Sequence, residues 1–164
     1  MNRTILIATD YSLESLNILK KVMRDKDTAE DQNQYNILLV SGYDTGDSIR
    51  DLLFNTKSTI FNKLRPQEFC EAYAIIKNKY PHLINKIVCD IFTGSFQRTF
   101  NNYVKAENIE EAYYSPAINS KGNGKFDVTP FIKKCKGLKS YEISVAIKEH
   151  LPEKGRLAEI FAEA

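Results

Sequence analysis

Tryptophan is missing from this chain of 164 residues, and cysteine (3) and histidine (2) are scarce. Cys70, Cys89 and Cys135 stand far apart, with no CxxC pair, which excludes a disulfide scaffold and points to a reducing compartment. Neither His82 nor His150 stands at metal-ligand spacing from a cysteine, so no zinc centre of the structural type is expected. Charge of one sign is lacking too. Lys and Arg (23) against Asp and Glu (21) leave +2, too little to mark a nucleic-acid binder. No apolar run approaches the ~18–20 residues of a membrane span, and the first residues lack a signal-peptide design. With 43% hydrophobic and 27% charged residues, the expectation is a cytoplasmic α/β domain with neither nucleic acid nor membrane as partner. The length suits one domain over 1–150, with 151–164 as its C-terminal helix.

The apolar runs that are present have the period of buried strands. Thr4 to Thr9 is continuous and apolar, as in a strand covered on both faces, and Ser12 is a good N-cap for the helix after it. Leu13, Leu16, Leu19 and Met23 mark that helix, and Tyr35 to Val40 repeats the buried-strand pattern. Strand, helix and strand within forty residues make a βαβ unit with parallel strands. Ser41 to Asp47 reads as a turn-rich loop, followed by a short helix from about Ser48 to Asn55. Pro66 is read as the first turn of a second main helix with Phe69, Ala72, Tyr73, Ile76 and Tyr80 on its core stripe. Ile87 to Phe92 is the third strand, and a helix lined by Phe96, Phe100, Tyr103 and Val104 follows it. Ile109 to Tyr114 is the fourth strand and Ser115 to Phe126 a loop. Thr129-Pro130 caps a helix that Gly137 ends, and Tyr141 to Ile147 is an edge strand. The sum is a doubly wound, five-stranded parallel sheet in the order 3-2-1-4-5 with an extra C-terminal helix.

Ligands of such sheets bind beyond the carboxyl ends of the strands where the strand order reverses, here between strands 1 and 4. The residues in reach are Thr9, Asp10, Tyr11 and Ser12 after strand 1, and Ser115, Lys121, Gly122 and Gly124 after strand 4. Ser41, Gly94 and Ser95 stand on the same rim after strands 2 and 3. Helix starts at Ser12 and Ser95 present backbone N–H groups suited to an anion.

The segment Thr9-Asp10-Tyr11-Ser12-Leu13-Glu14-Ser15, behind Ile5 to Ala8, resembles the opening of universal stress proteins. In that family a first strand ends in Asp, and Ser residues two and five positions later begin helix 1. The third strand running into Gly94, then a helix and Asn108-Ile109-Glu110, resembles the family's middle section. The resemblance implies an α/β binding fold, and Asp10 and the loop after Gly94 as contacts for an adenine nucleotide. Nucleotide-binding members also carry Gly, two residues, Gly, nine residues, then Gly-Ser or Gly-Thr after strand 4, where backbone amides approach the phosphates. Here Tyr113-Tyr114-Ser115-Pro116 ends the strand, Pro116 offers no N–H, and Lys121 to Gly124 is too short a glycine cluster to replace the motif.

Two other resemblances fail on position. Ser41 to Ser48 is similar to the SGGxDS loop of ATP pyrophosphatases, but it follows the second strand and has Tyr43 in place of a glycine. A phosphorylated receiver domain needs an acidic pair after strand 1 and an Asp ending strand 3, whereas Asp10 is single and Asp90 lies inside its strand. No GxSxG elbow or Cys–His partnership is visible, and Glu110 and Glu111 point to opposite faces as strand neighbours. Lys121, Lys125, Lys133, Lys134, Lys136 and Lys139 make a positive stretch near the rim, and three of them flank Cys135 in a way that favours its thiolate. The sequence therefore favours a non-catalytic binding or regulatory domain without cofactor or metal, a homodimer joined at strand 5 or the C-terminal helix, with a further protein partner. ATP or AMP held by a non-standard phosphate loop is the alternative, and a nucleotide-hydrolysing enzyme the distant one.

Overall fold

The computed structural model describes residues 2–44, 66–118 and 125–144. In chain order the elements are β1 (Asn2–Ala8), α1 (Leu16–Thr28), β2 (Gln34–Tyr43), α2 (Gln67–Lys79), β3 (Ile84–Phe92), α3 (Gln97–Ala106), β4 (Ile109–Tyr114), β5 (Lys125–Phe126), α4 (Thr129–Lys134) and β6 (Lys139–Glu142). The main sheet runs β3-β2-β1-β4-β6 with every neighbouring pair parallel. Those five strands have the expected order. The sixth, β5, is a two-residue strand set antiparallel against β2 in what reads from sequence as a loop.

Period two along the central strands builds two cores. Ile5, Ile7, Ile37 and Leu39 face α1 and α2, where Leu16, Leu19, Met23, Phe69, Ala72 and Ile76 meet them. Leu6, Ala8, Leu38 and Val40 face α3 and α4, against Phe100, Val104 and Ile132. Phe92 is the hub of that second layer, with ring centroids 5.2 Å from Phe100 and 5.5 Å from Phe131. Burying each such ring contributes about 1.5–3 kcal/mol.

Several boundaries differ from the sequence reading. β2 continues through Ser41, Gly42 and Tyr43 because β3 and β5 pair with that extension. Pro66 is the N-cap of α2, in extended backbone, rather than its first turn. Phe96 sits on the N-cap of α3 at 73% exposure, outside the apolar stripe. The last strand is centred earlier, at Lys139–Glu142. The expected helix from Ser48 to Asn55 and the helix over 151–164 lie outside the described residues.

Candidate functional site

The rim at the carboxyl ends of the strands is built by strands of unequal length. β1 stops at Ala8, opposite Val40, and the Thr9 N–H closes the ladder on the Val40 carbonyl at 2.9 Å. β2 runs three residues further. There β3 takes one of its edges, with Phe92 opposite Gly42, so β5 occupies the other, in the lane that β1 vacates. Gly42 permits this approach. A Cβ there would lie 2.4 Å from the Phe126 ring and 2.6 Å from the Phe126 carbonyl oxygen.

Displaced from the sheet, the chain after β1 turns on its own side chains. The Ser12 N–H donates to Asp10 Oδ1 at 2.9 Å, and the Ser12 hydroxyl donates to the same oxygen. Ser12 Oγ in turn accepts from the Ser15 N–H at 3.3 Å, capping the single 3-10 turn Leu13–Ser15 that leads into α1. Thr9 is buried, its hydroxyl 2.7 Å from that of Ser15 and accepting from the Tyr11 N–H at 2.9 Å. Tyr11 adopts φ +61°, uncommon for a bulky residue, and is only 1% exposed. Its phenol donates to the carbonyl of Asp90, and its ring meets Phe69 edge-on at 5.4 Å. It acts as a strut between the β1 loop and β3.

Of the residues read as ligand contacts, Thr9, Asp10, Tyr11 and Ser12 are brought together, but Thr9 and Tyr11 are core. Ser41 and Ser115 are fully or nearly fully buried at the ends of β2 and β4, and Ser115 Oγ accepts from the Ala117 N–H at 3.3 Å. Gly94 and Ser95 lie at the exit of β3, with β2 between them and β1. Gly94 is packed so that a Cβ would meet Thr99 at 2.5 Å. Lys121, Gly122 and Gly124 lie outside the described residues. Asp10, Ser12, Gly94 and Ser95 remain half-buried or exposed.

Sequence reasoning put Lys125 in the positive stretch near the rim but not among the ligand contacts. Its ammonium donates to the Asp10 carbonyl at 3.3 Å, across the lane beyond β1. Only the pairing of β5 with β2 brings it there, and no local pattern announces that pairing. Asp90, set aside as an interior strand residue, accepts from the Tyr103 hydroxyl at 2.8 Å. Burial, followed by the Asp90 carboxylate, pushes the Tyr103 phenol well above its usual pKa.

The remaining candidates for chemistry separate. Glu110 pairs with Arg3 at 3.7 Å on the surface. Glu111 turns to the opposite face, 3.8 Å from the Lys26 ammonium, and accepts from the Tyr113 hydroxyl at 2.8 Å. The two carboxylates thus have different partners. Burial pushes the Cys135 thiol up, with Lys105 opposing, so burial outweighs the neighbouring ammonium groups that favour thiolate in the sequence reading. Among the described residues no cluster of three or more His, Cys, Asp or Glu is placed to hold a metal ion. No helix among them is long and apolar enough to cross a membrane.

No protein-family model matches the sequence, and no curated protein does. Solved structures do match. The universal stress protein UspA from Lactobacillus plantarum superposes with a TM-score of 0.51 at 11% identity, covering 87% of this chain and 97% of that one. A universal stress protein family protein from Arabidopsis thaliana, with AMP bound, gives 0.51 at 16% identity over 93% and 98%. A universal stress protein in complex with cAMP gives 0.51 at 8% identity over 88% and 98%. The chain has the fold of universal stress proteins.

Proposed function

We propose that this chain is a divergent, non-catalytic domain of the universal stress protein type, acting as a homodimer that binds a protein partner. The observation that carries the reading is β5. It fills the lane beyond β1, beside the switch point where a doubly wound sheet receives its ligand, and Lys125 holds the Asp10 carbonyl there. The Asp10 carboxylate is likewise engaged, by the N–H and hydroxyl of Ser12. A rim built this way is suited to structural support more than to admitting a triphosphate. The dimer joint in this reading is β6, which pairs with β4 along one edge and whose four residues are all exposed. An edge strand of that kind invites pairing with a second copy about a two-fold axis.

Adenine-nucleotide binding is the second reading, favoured by the AMP and cAMP named with two structures of the same fold. Thermal unfolding with millimolar Mg-ATP, AMP and an inorganic anion control separates the two. A ligand at ~100-fold over its dissociation constant contributes about 2.7 kcal/mol, several degrees for a domain of this size. No nucleotide-specific shift is the expected result. A shift that Asp10→Ala removes would install the nucleotide reading, and release of ADP or AMP in the same samples would make the chain an enzyme. Light scattering at ~100 µM tests the dimer, and a monodisperse monomer would sink that part.

A further inference from the structure

A groove of about 510 Å³ opens at the other pole of the sheet, where α3 ends, β4 begins and α4 turns into β6. Its floor is apolar, formed by the buried side chains of Val104, Ile109 and Cys135. Its walls are polar and cationic. Asn101 and Lys105 stand one turn apart on α3, and Lys136 lines the groove from the turn after α4. Asn101 Oδ1 already accepts from Gln97 Nε2 at 2.8 Å, which leaves its amide N–H groups as the donors it has to offer. The one carboxylate in the lining, Glu110, is turned to Arg3. Two residues with positive φ shape the mouth. Asn108 takes φ +54° immediately past α3, and Gly137 takes φ +84° with nothing within 4 Å of where a Cβ would stand. Part of the lysine-rich stretch read from sequence thus belongs to this groove: Lys125 stands at the carboxyl rim, whereas Lys136 stands here.

From this juxtaposition we infer that the groove between α3 and the α4–β6 turn binds a small molecule with an anionic head, a carboxylate or a phosphate monoester, and an apolar body. The volume falls within the roughly 300–1,000 Å³ of small-molecule sites, and polar groups here ring a small apolar floor. The charge balance favours an anion. The carboxyl end of α3 contributes about half a negative charge, against the two ammonium groups of Lys105 and Lys136. Two carbonyls of the last turn of α3 are also satisfied internally, those of Tyr103 and Lys105, by the N–H groups of Glu107 and Asn108. The head group would lie between the two lysines and the Asn101 amide, with the body over Val104 and Cys135. This site shares no residue with the carboxyl rim.

Amide NMR titrations with phenyl phosphate and with phenylacetate test it, with phenol and inorganic phosphate as controls. Saturable shifts at Lys105, Asn108 and Gly137 are expected from at least one of the two anions, and the tighter of them identifies the head group. The double substitution Lys105→Gln/Lys136→Gln weakens that binding about tenfold or more, and the bound probe slows alkylation of Cys135 by iodoacetamide. Shifts that never saturate, shifts shared by lysines all over the surface, equal binding of phenol, or undiminished binding by the double variant would overturn the proposal. Both lysines are exposed, and unchanged amide positions elsewhere in the spectrum verify the variant's fold.

Discussion

The two poles of the sheet differ in what their described residues bury and what they leave open. At the carboxyl pole, where ligands of such folds bind, Thr9, Tyr11, Ser41 and Ser115 are buried, Asp10, Ser12, Gly94 and Ser95 stay half-buried or exposed, and β5 lies in the lane beyond β1. At the amino pole, where the fold has no customary site, an apolar floor lies open between two lysines. Topology decides where a crevice can form, but the side chains and the connections decide whether it stays one. A function transferred from fold alone would settle on the wrong pole if the chain has moved its chemistry.

The most severe test of a core-like carboxyl pole is Tyr11→Ala. If Tyr11 is a strut, its loss removes a fully buried ring, its edge contact with Phe69 and its bond to the Asp90 carbonyl, and unfolding in urea registers a loss of about 3–5 kcal/mol. A ligand-contacting tyrosine would give a loss below about 1 kcal/mol, and the contrast between the poles would fail there. Gly42→Ala comes next, at about 1–3 kcal/mol. Its Cβ meets not only the Phe126 ring but also the Phe126 carbonyl, which no rotamer change moves away, so β5 must shift away from β2. Hydrogen exchange at Phe126 should rise with the loss of stability. A variant as stable as the parent would show that β5 is a loose cover, and the nucleotide titration would then be repeated on it.

The parts of this arrangement that were legible in sequence are those written in local periodicity. Ile109–Tyr114 is the fourth strand in both readings, and the run Ile5 to Ala8 gives the central strand because both faces of it are buried. What escaped was nonlocal. Ser41-Gly42-Tyr43 has turn composition, and it is strand because β5 and β3 pair with it from far along the chain. Phe96 falls on the apolar spacing of α3 yet begins the helix too early to reach the core. For the site, the cap at Ser12 was readable in sequence, whereas Lys125 over Asp10 and Lys136 in one groove with Lys105 depend on tertiary placement that spacing does not encode.

Between the poles, the tyrosines supply a pH test of burial. Burial first, then the bonded carboxylate, raises Tyr103 beside Asp90 and Tyr113 beside Glu111 well above their usual range. Because the folded-state value is the higher one, the stability this represents is fully present below about pH 10 and is lost as pH rises toward the folded-state value. Phenolate absorbance at pH ~10.5 should therefore count fewer tyrosinates in the native chain than in urea, out of nine tyrosines in all. Tyr103→Phe should cost about 1 kcal/mol at neutral pH and narrow that gap. Equal native and unfolded titrations would mean that water reaches both phenols.

The smallest expected effect comes from the amino pole, and its smallness is the point. Lys105 and Lys136 are exposed, and neither holds an element of the fold in place, so Lys105→Gln/Lys136→Gln should leave stability within about 0.5 kcal/mol of the parent. Cys135 reports on the same groove from its floor. Burial raises its thiol and Lys105 opposes that rise, so Lys105→Gln should raise it further and slow its alkylation near pH 8, while Lys136→Gln serves as the comparison. Unchanged stability with slowed alkylation is what an open cationic groove predicts. A loss of several kcal/mol from the double variant would instead make the lysines structural, and the amino pole would join the carboxyl pole as core.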